Sequence, residues 1–277
     1  MDDQVWLMRL YGKNGVWSIY KLKPYDSSIE TGNSIPFDFW DPITNLEYTD
    51  SLDKVIPHAI YAANHNNSST GDLATQAFTI LKKEDSQDEL VLYVMAMYLE
   101  FNNNDGRLIE ASSNHSPVVI TLEKGDNGGY GLTEYWTPDD GAGYMASLRK
   151  KFPKDFNEEL LDTQKFVKTH LQTCYESAVI QSGVDVITRI EHLIERICQS
   201  PAQMSNPYAY VQDHELEYRE LIYYGNYTLQ YCFNLFEEGG QTGLEGYLRA
   251  LVCKEILDIE PIDQGLNYST GQCFLQQ

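Results

Sequence analysis

Gly129-Tyr130-Gly131-Leu132-Thr133-Glu134-Tyr135-Trp136-Thr137-Pro138-Asp139-Asp140-Gly141-Ala142-Gly143-Tyr144 is the stretch on which the fold turns. Tyr130 to Trp136 is short, aromatic and bounded by turn residues, which is how a β-strand reads. Pro138-Asp139-Asp140-Gly141 then breaks the extended run, and the spacing after it predicts a helix over 144–151, stopped by Pro153. Upstream of this junction the periodicity is mostly that of strands; downstream it is almost entirely that of helices.

Working back toward the N-terminus, Val118 to Lys124, Arg107 to Ala111 and Leu90 to Phe101 read as strands, with Asp105-Gly106 and Asp126-Asn127-Gly128-Gly129 as turns. Ala74 to Lys83 reads as a further strand or edge element. Strands so closely spaced make an antiparallel meander, which can leave one face to solvent while helices cover the other. Residues 4–11 and 15–22 read as a hairpin around Gly12-Lys13-Asn14. From 24 to 57 periodicity is lost among Pro24, Pro36, Pro42 and Pro57, so a long irregular loop is expected, pinned to the sheet by Phe37, Phe39 and Trp40.

Working forward, Leu160, Val167, Leu171, Cys174 and Ala178 form one apolar stripe of a helix over 155–180, and Ile187, Ile190, Ile194 and Ile197 form another over 184–199. Asn206-Pro207 starts the next helix. Leu216 to Phe236 reads as two abutting helices split at Gly225-Asn226. Gly239-Gly240 ends the second, and Thr242 stands as the cap of a last helix. The expected fold is α+β: an N-terminal antiparallel β-meander packed against a C-terminal array of about five α-helices. The sheet region, with its loop 24–57, takes residues 1–153. The helical region takes 154–277 and shares one core with the sheet.

Composition excludes some partners. The chain has 277 residues, 41 acidic against 20 basic, and a formal charge of −21. Nucleic acid and anionic membrane surfaces would be repelled by such a charge, so neither is expected as a partner. No apolar run reaches 18 residues, so no membrane span is expected within this sequence. Met1-Asp2-Asp3-Gln4 is acidic where an export signal is basic, so any leader or anchor of the native protein is expected to be missing from this sequence.

No motif yields a catalytic set. His214-Glu215-Leu216-Glu217-Tyr218 has Tyr218 where a zincin needs its second histidine. Ser51-Leu52-Asp53-Lys54 fits the S-x-x-K spacing but lacks the companion motifs. The adjacent pairs Asp139-Asp140, Glu158-Glu159 and Glu237-Glu238 show nothing that would split two carboxyl pKa values; the first pair is better explained by the turn and the helix N-terminus. Gly239-Gly240-Gln241-Thr242-Gly243 follows a helix and lacks the lysine of a phosphate loop. Catalytic residues, metal ligands and cofactors are therefore not expected. Of the five cysteines, Cys174 and Cys198 would be offset by roughly 10 Å along paired helices at about 1.5 Å per residue, too far for a disulfide. Cys232 and Cys253 are better matched across Gly239-Gly240, although buried free thiols are the expected state.

Thr133 to Gly141, Lys150-Lys151-Phe152-Pro153, Ser205-Asn206-Pro207-Tyr208, Glu217-Tyr218-Arg219-Glu220-Leu221-Ile222-Tyr223-Tyr224-Gly225 and Gly240-Gln241-Thr242-Gly243-Leu244 carry a resemblance, as do Ala77 to Leu81 and Leu90 to Phe101. Over roughly 70–250 the chain resembles an uncharacterised domain of Firmicutes proteins. That domain is found at the extracytoplasmic C-terminal end of membrane metallopeptidases of the beta-lactam sensor-transducer type, and in lipoprotein-like chains. The chain departs from the pattern at Asp140, where Arg is expected. The resemblance implies a cell-surface location outside the membrane, anchorage through a part of the native protein not in this sequence, and a non-catalytic sensing, binding or accessory role. It implies no catalytic set. The ligand, a small molecule, peptide or protein, is expected near Phe37, Phe39, Trp40, Tyr135, Trp136, Asp139, Asp140 and Tyr144. The alternative is a stand-alone hydrolase with its site where loop 24–57 meets Asp139-Asp140.

Overall fold

The computed structural model describes residues 6–13, 16–24, 52–65, 71–126, 128–156, 161–199 and 207–258. Two units divide the chain, Met1–Pro42 and Ile43–Gln277. In the first, β1 (Trp6–Lys13) and β2 (Val16–Pro24) form an antiparallel hairpin running from the pair Trp6–Pro24 to the pair Lys13–Val16. Gly12 and Lys13, expected in the turn, are the last paired residues of β1.

The second unit is built on a four-stranded antiparallel meander in the order β3-β4-β5-β6. Its strands are β3 (Leu73–Asp85), β4 (Glu89–Asn104), β5 (Arg107–Lys124) and β6 (Tyr130–Trp136). β4 is central, and every residue from Leu92 to Phe101 is buried, the pattern of a strand covered on both faces. Side chains alternate along a strand, so Leu90, Leu92, Val94, Ala96 and Tyr98 join one apolar cluster, while Tyr93, Met97 and Phe101 join others on the opposite side.

The first of these faces is not open to solvent as the meander pattern allowed. Helix α1 (Leu52–Asn64) packs Val55, Ile56, Ala59 and Ile60 against it, each with no exposed surface. Pro57, read as part of an irregular loop, sits in the second turn of this helix, where the missing N–H forfeits one backbone bond without breaking the turn. The rest of loop 24–57, residues 25–51, lies outside the described residues.

A second correction concerns β5. The expected strands 107–111 and 118–124 are one strand of 18 residues, continuous through Ser112-Ser113-Asn114-His115-Ser116-Pro117. The polar run reads as a loop because those residues are mostly exposed or half-exposed. Pro117 is tolerated because β6 pairs only from Val119 onward, leaving β4 as the one paired neighbour of Pro117 among the described residues.

Beyond β6, one 3-10 turn (Gly141–Gly143) leads into α2 (Tyr144–Lys151). Then come α3 (Gln164–Ser182), α4 (Val186–Cys198), α5 (Pro207–Asp213), α6 (Glu215–Tyr223), α7 (Asn226–Glu238) and α8 (Gly243–Ile256). The expected break at Gly225-Asn226 separates α6 from α7. The architecture is thus α+β, with an N-terminal meander and helices after it. Leu171, Cys174, Ala178, Ile190, Leu221 and Cys253 share a core with Ala77, Met97, Phe101 and Leu108 of the sheet.

Helix ends are held by specific groups. Gly183 adopts φ 65° as the left-handed residue ending α3. Asp185 caps α4 by accepting from the Thr188 backbone N–H at 3.1 Å and its hydroxyl at 2.8 Å. Thr242 stands before α8 as expected, but its side chain makes no capping bond. α3 also serves its neighbours: Gln172 donates to the Ile222 carbonyl at 3.1 Å, and Glu176 accepts the Asn226 N–H at 2.9 Å. The turn between α6 and α7 needs Gly225, whose φ is 50° and whose added Cβ would lie 2.7 Å from the Glu176 carboxylate.

Candidate functional site

The residues expected around the junction are distributed over both faces of the sheet. Phe37, Phe39 and Trp40 lie outside the described residues. Tyr135 and Trp136 are consecutive on β6 and therefore point opposite ways. Trp136 and Tyr144 pack on the α2 side with Tyr93, Leu148 and Phe152; the Trp136 and Phe152 rings are 6.2 Å apart, and the Lys151 ammonium lies 5.9 Å from the Trp136 ring centre. The Tyr144 pKa is raised, chiefly by burial. Asp139 and Asp140 are both exposed. Asp139 donates its backbone N–H to Ser147 Oγ at 3.0 Å, and Asp140, at the cap position of the 3-10 turn, makes no side-chain capping bond there.

Tyr135 belongs to the other face, packed in the cluster with α1. Burial pushes its pKa up to about 12, and its hydroxyl meets the Asn64 side chain. Asn64, the last residue of α1, donates to the Ile60 carbonyl at 2.7 Å and accepts from Asn114 Nδ2 of β5 at 2.7 Å. Next in the chain, His65 lies against Tyr61 with ring centres 4.5 Å apart and planes 16° from parallel. A row of neutral hydrogen-bonding side chains and an aromatic stack are thereby assembled from α1, β5 and β6.

Behind the row is a buried carboxylate. Glu100 is 2% exposed. It accepts from the Tyr98 hydroxyl at 2.6 Å and from the Gly71 N–H at 3.2 Å. His65 Nδ1 is 3.0 Å from the Tyr98 oxygen and 3.7 Å from Glu100. Because the Tyr98 proton is committed to Glu100, His65 Nδ1 is placed to donate to the Tyr98 oxygen. Across the ladder, Gln76 pairs in register with Tyr98, and its buried Nε2 has no hydrogen-bond partner among the described residues. None of His65, Tyr98, Glu100 and Gln76 was expected in the site. The available signal was Glu100 itself: one carboxylate closing an otherwise apolar run must be hydrogen-bonded if buried.

A second polar group lies on the α3 face. His170, 2% exposed, places Nδ1 3.0 Å from His115 Nε2 and Nε2 2.9 Å from Thr79 Oγ1. Burial lowers His115 to about 4; burial, reinforced by His115, lowers His170 to about 3. One of the two facing nitrogens must carry the shared N–H and the other accept it, so both rings cannot be protonated together. This group ties α3 to β3 and β5.

His214, first of the near-zincin motif, precedes α6 and lies 3.8 Å from Glu217. Among the described residues no group of three or more His, Cys, Asp and Glu is placed to hold a metal, and no helix is long and apolar enough to cross a membrane. No family model, curated protein or solved structure matches the chain.

Proposed function

We propose that the protein is a non-catalytic binding module, serving as a sensing or accessory domain outside the membrane of a Gram-positive bacterium. Its ligand site is the rim formed by Tyr61, Asn64, His65, Asn114 and Tyr135. The observation behind this reading is the chain of contacts from Tyr135 through Asn64 to Asn114, beside the Tyr61–His65 stack. Phenol, amide and imidazole groups in a row, with an aromatic face alongside, suit a hydroxyl-rich ligand such as a cell-wall glycan fragment. A few placed polar groups then set its orientation. The location rests on the family resemblance alone. The alternative, a hydrolase with its site where loop 24–57 meets Asp139-Asp140, draws no support from the described residues, in which both acids are exposed.

Soluble disaccharide-peptide fragments of cell wall are the probe. At a concentration about 100 times Kd, ligand binding stabilises the folded state by about 2.7 kcal/mol, a rise of several degrees in Tm. Asn114→Ala, an exposed change, should weaken binding by roughly tenfold, as loss of one good hydrogen bond does, and the fragments should be recovered chemically unchanged. An unmoved Tm at millimolar fragment, or equal affinity in Asn114→Ala, would sink the assignment. Cleaved fragments would favour an enzyme instead.

A further inference from the structure

α7 and α8 form a helical hairpin turned by Gly239 (φ 85°) and Gly240 (φ 73°). Cys232 on α7 and Cys253 on α8 have no exposed surface and lie in the same core cluster. Both are free thiols, and their side chains hydrogen-bond one another. Other described cysteines have different neighbours. Cys174 meets the Thr75 hydroxyl, and Cys198 lies near Glu245 and Arg249. A direct thiol–thiol contact between two helices of one hairpin sets Cys232 and Cys253 apart.

We propose that Cys232 and Cys253 are a dithiol modification site, which closes to a disulfide joining α7 to α8 when the chain folds in the presence of a small-molecule disulfide. One cysteine, as thiolate, attacks a sulfur of the oxidant R–S–S–R; a mixed disulfide forms and R–S⁻ leaves, taking up a proton. The second cysteine thiolate attacks the protein sulfur of that mixed disulfide and expels the other R–S⁻. The two cysteines together lose two protons and two electrons, and the oxidant becomes two R–SH. Folding is when this happens, because the thiolate is the reacting species. Once the hairpin is packed, the bond to Cys232 and burial hold the Cys253 thiol strongly protonated. The linkage would anchor α8, whose Glu255 accepts from the Tyr218 hydroxyl at 3.0 Å and whose backbone accepts from Lys168 at 2.8 Å.

The test uses the full chain, reduced and unfolded in guanidinium, then refolded with mixed reduced and oxidised glutathione, alkylated and digested with trypsin. No lysine or arginine lies between Glu220 and Tyr247, so Cys232 and Cys253 fall on separate peptides, 220–249 and 250–254. The expected result is these two peptides joined, with the other three cysteines alkylated. Tm should lie roughly 5–10 °C above that of protein refolded with dithiothreitol, as expected for a bond closing a loop of about 20 residues. In Cys232→Ala both the joined peptides and the Tm difference should vanish. Five alkylated cysteines after refolding, or Cys232 joined to Cys174, Cys198 or Cys273 as often as to Cys253, would overturn the proposal. Peptide mapping of the wild-type chain decides the matter even if the variant does not fold. The experiment involves no cell-wall ligand, so its outcome is separate from that of the binding reading.

Discussion

His170 shows how one side chain can make stability depend on pH. Its two ring nitrogens are engaged by His115 and Thr79, and both histidines titrate far below their ordinary 6.5, at about 3 for His170 and about 4 for His115. As pH falls, the unfolded chain takes up these protons first. Their contribution to stability is therefore complete above about pH 6.5 and is lost progressively between 6.5 and about 4 for His115 and between 6.5 and about 3 for His170. Few carboxylates titrate above pH 5, and His58, whose pKa burial also lowers, is common to wild type and variant, so the difference between the two over the interval from 7 to 5 isolates the effect. Proton NMR should show the His115 and His170 ring signals still untitrated at pH 5.5, while Tm falls by several degrees from pH 7 to 5. The fall should be smaller in His115→Asn/His170→Asn, even though that variant is less stable throughout. Titration midpoints near 6.5 for both rings would refute the buried neutral pair.

Among the elements, α4 and α6 are joined by a part-buried ion pair. Arg189 donates to both Glu220 oxygens, at 2.8 and 2.7 Å, and the Tyr224 hydroxyl adds a third bond at 3.0 Å. The side chains of Arg189 and Glu220 are 18% and 11% exposed. Removing the carboxylate strands a guanidinium and a buried hydroxyl, so Glu220→Ala should cost about 3–5 kcal/mol, read as a shift in the urea midpoint. Replacing both charges, as Arg189→Met/Glu220→Leu, should cost less than the single change; a larger cost would show that the pair itself is net stabilising. At this scale the sequence was most legible. Gly225-Asn226 and Gly239-Gly240 ended helices because glycine relaxes most readily into the positive φ angles of Gly225, Gly239 and Gly240, and of the expected stripe Ile190, Ile194 and Ile197 belong to the buried face of α4 while Ile187 is exposed. What escaped was context. α1 hid behind Pro57, and the middle of β5 behind its serines, because consecutive polar residues on both faces of the strand, Ser112 to Asn114 all exposed, erase the alternation that marks it. The candidate site escaped further, since Asn64, Asn114 and Tyr135 are brought together only by packing α1 on the sheet. Of those, Tyr135 alone stood out beforehand, as an aromatic beside a turn.

Charge governs the molecule as a whole. If each of the 20 basic residues were matched with an acidic one, 21 of the 41 acidic residues would still repel one another. Some basic residues are matched: Lys82 contacts Asp155 at 3.0 Å, Lys151 contacts Glu134 at 2.8 Å, and Arg249 contacts Glu245 at 2.9 Å. Each involves a largely exposed carboxylate and contributes little, because water and salt screen it. Salt acts on both terms. It weakens these attractions and screens the repulsion among the surplus acids, and at pH 7.5 the surplus is the larger because it sums over many pairs within the roughly 30 Å Debye length of a 10 mM buffer. Raising sodium chloride from 10 to 200 mM should therefore raise Tm by a few degrees. Near pH 4.5, the isoelectric point from composition, the net repulsion disappears and only the ion pairs remain to be screened. There the same addition should leave Tm unchanged or lower it slightly. A scanning calorimetry series over the two pH values checks the prediction. A fall in Tm with salt at pH 7.5 would mean that the acids are held in attractive networks, and the surface would then have to be read as organised around its 20 cations instead of its acidic surplus.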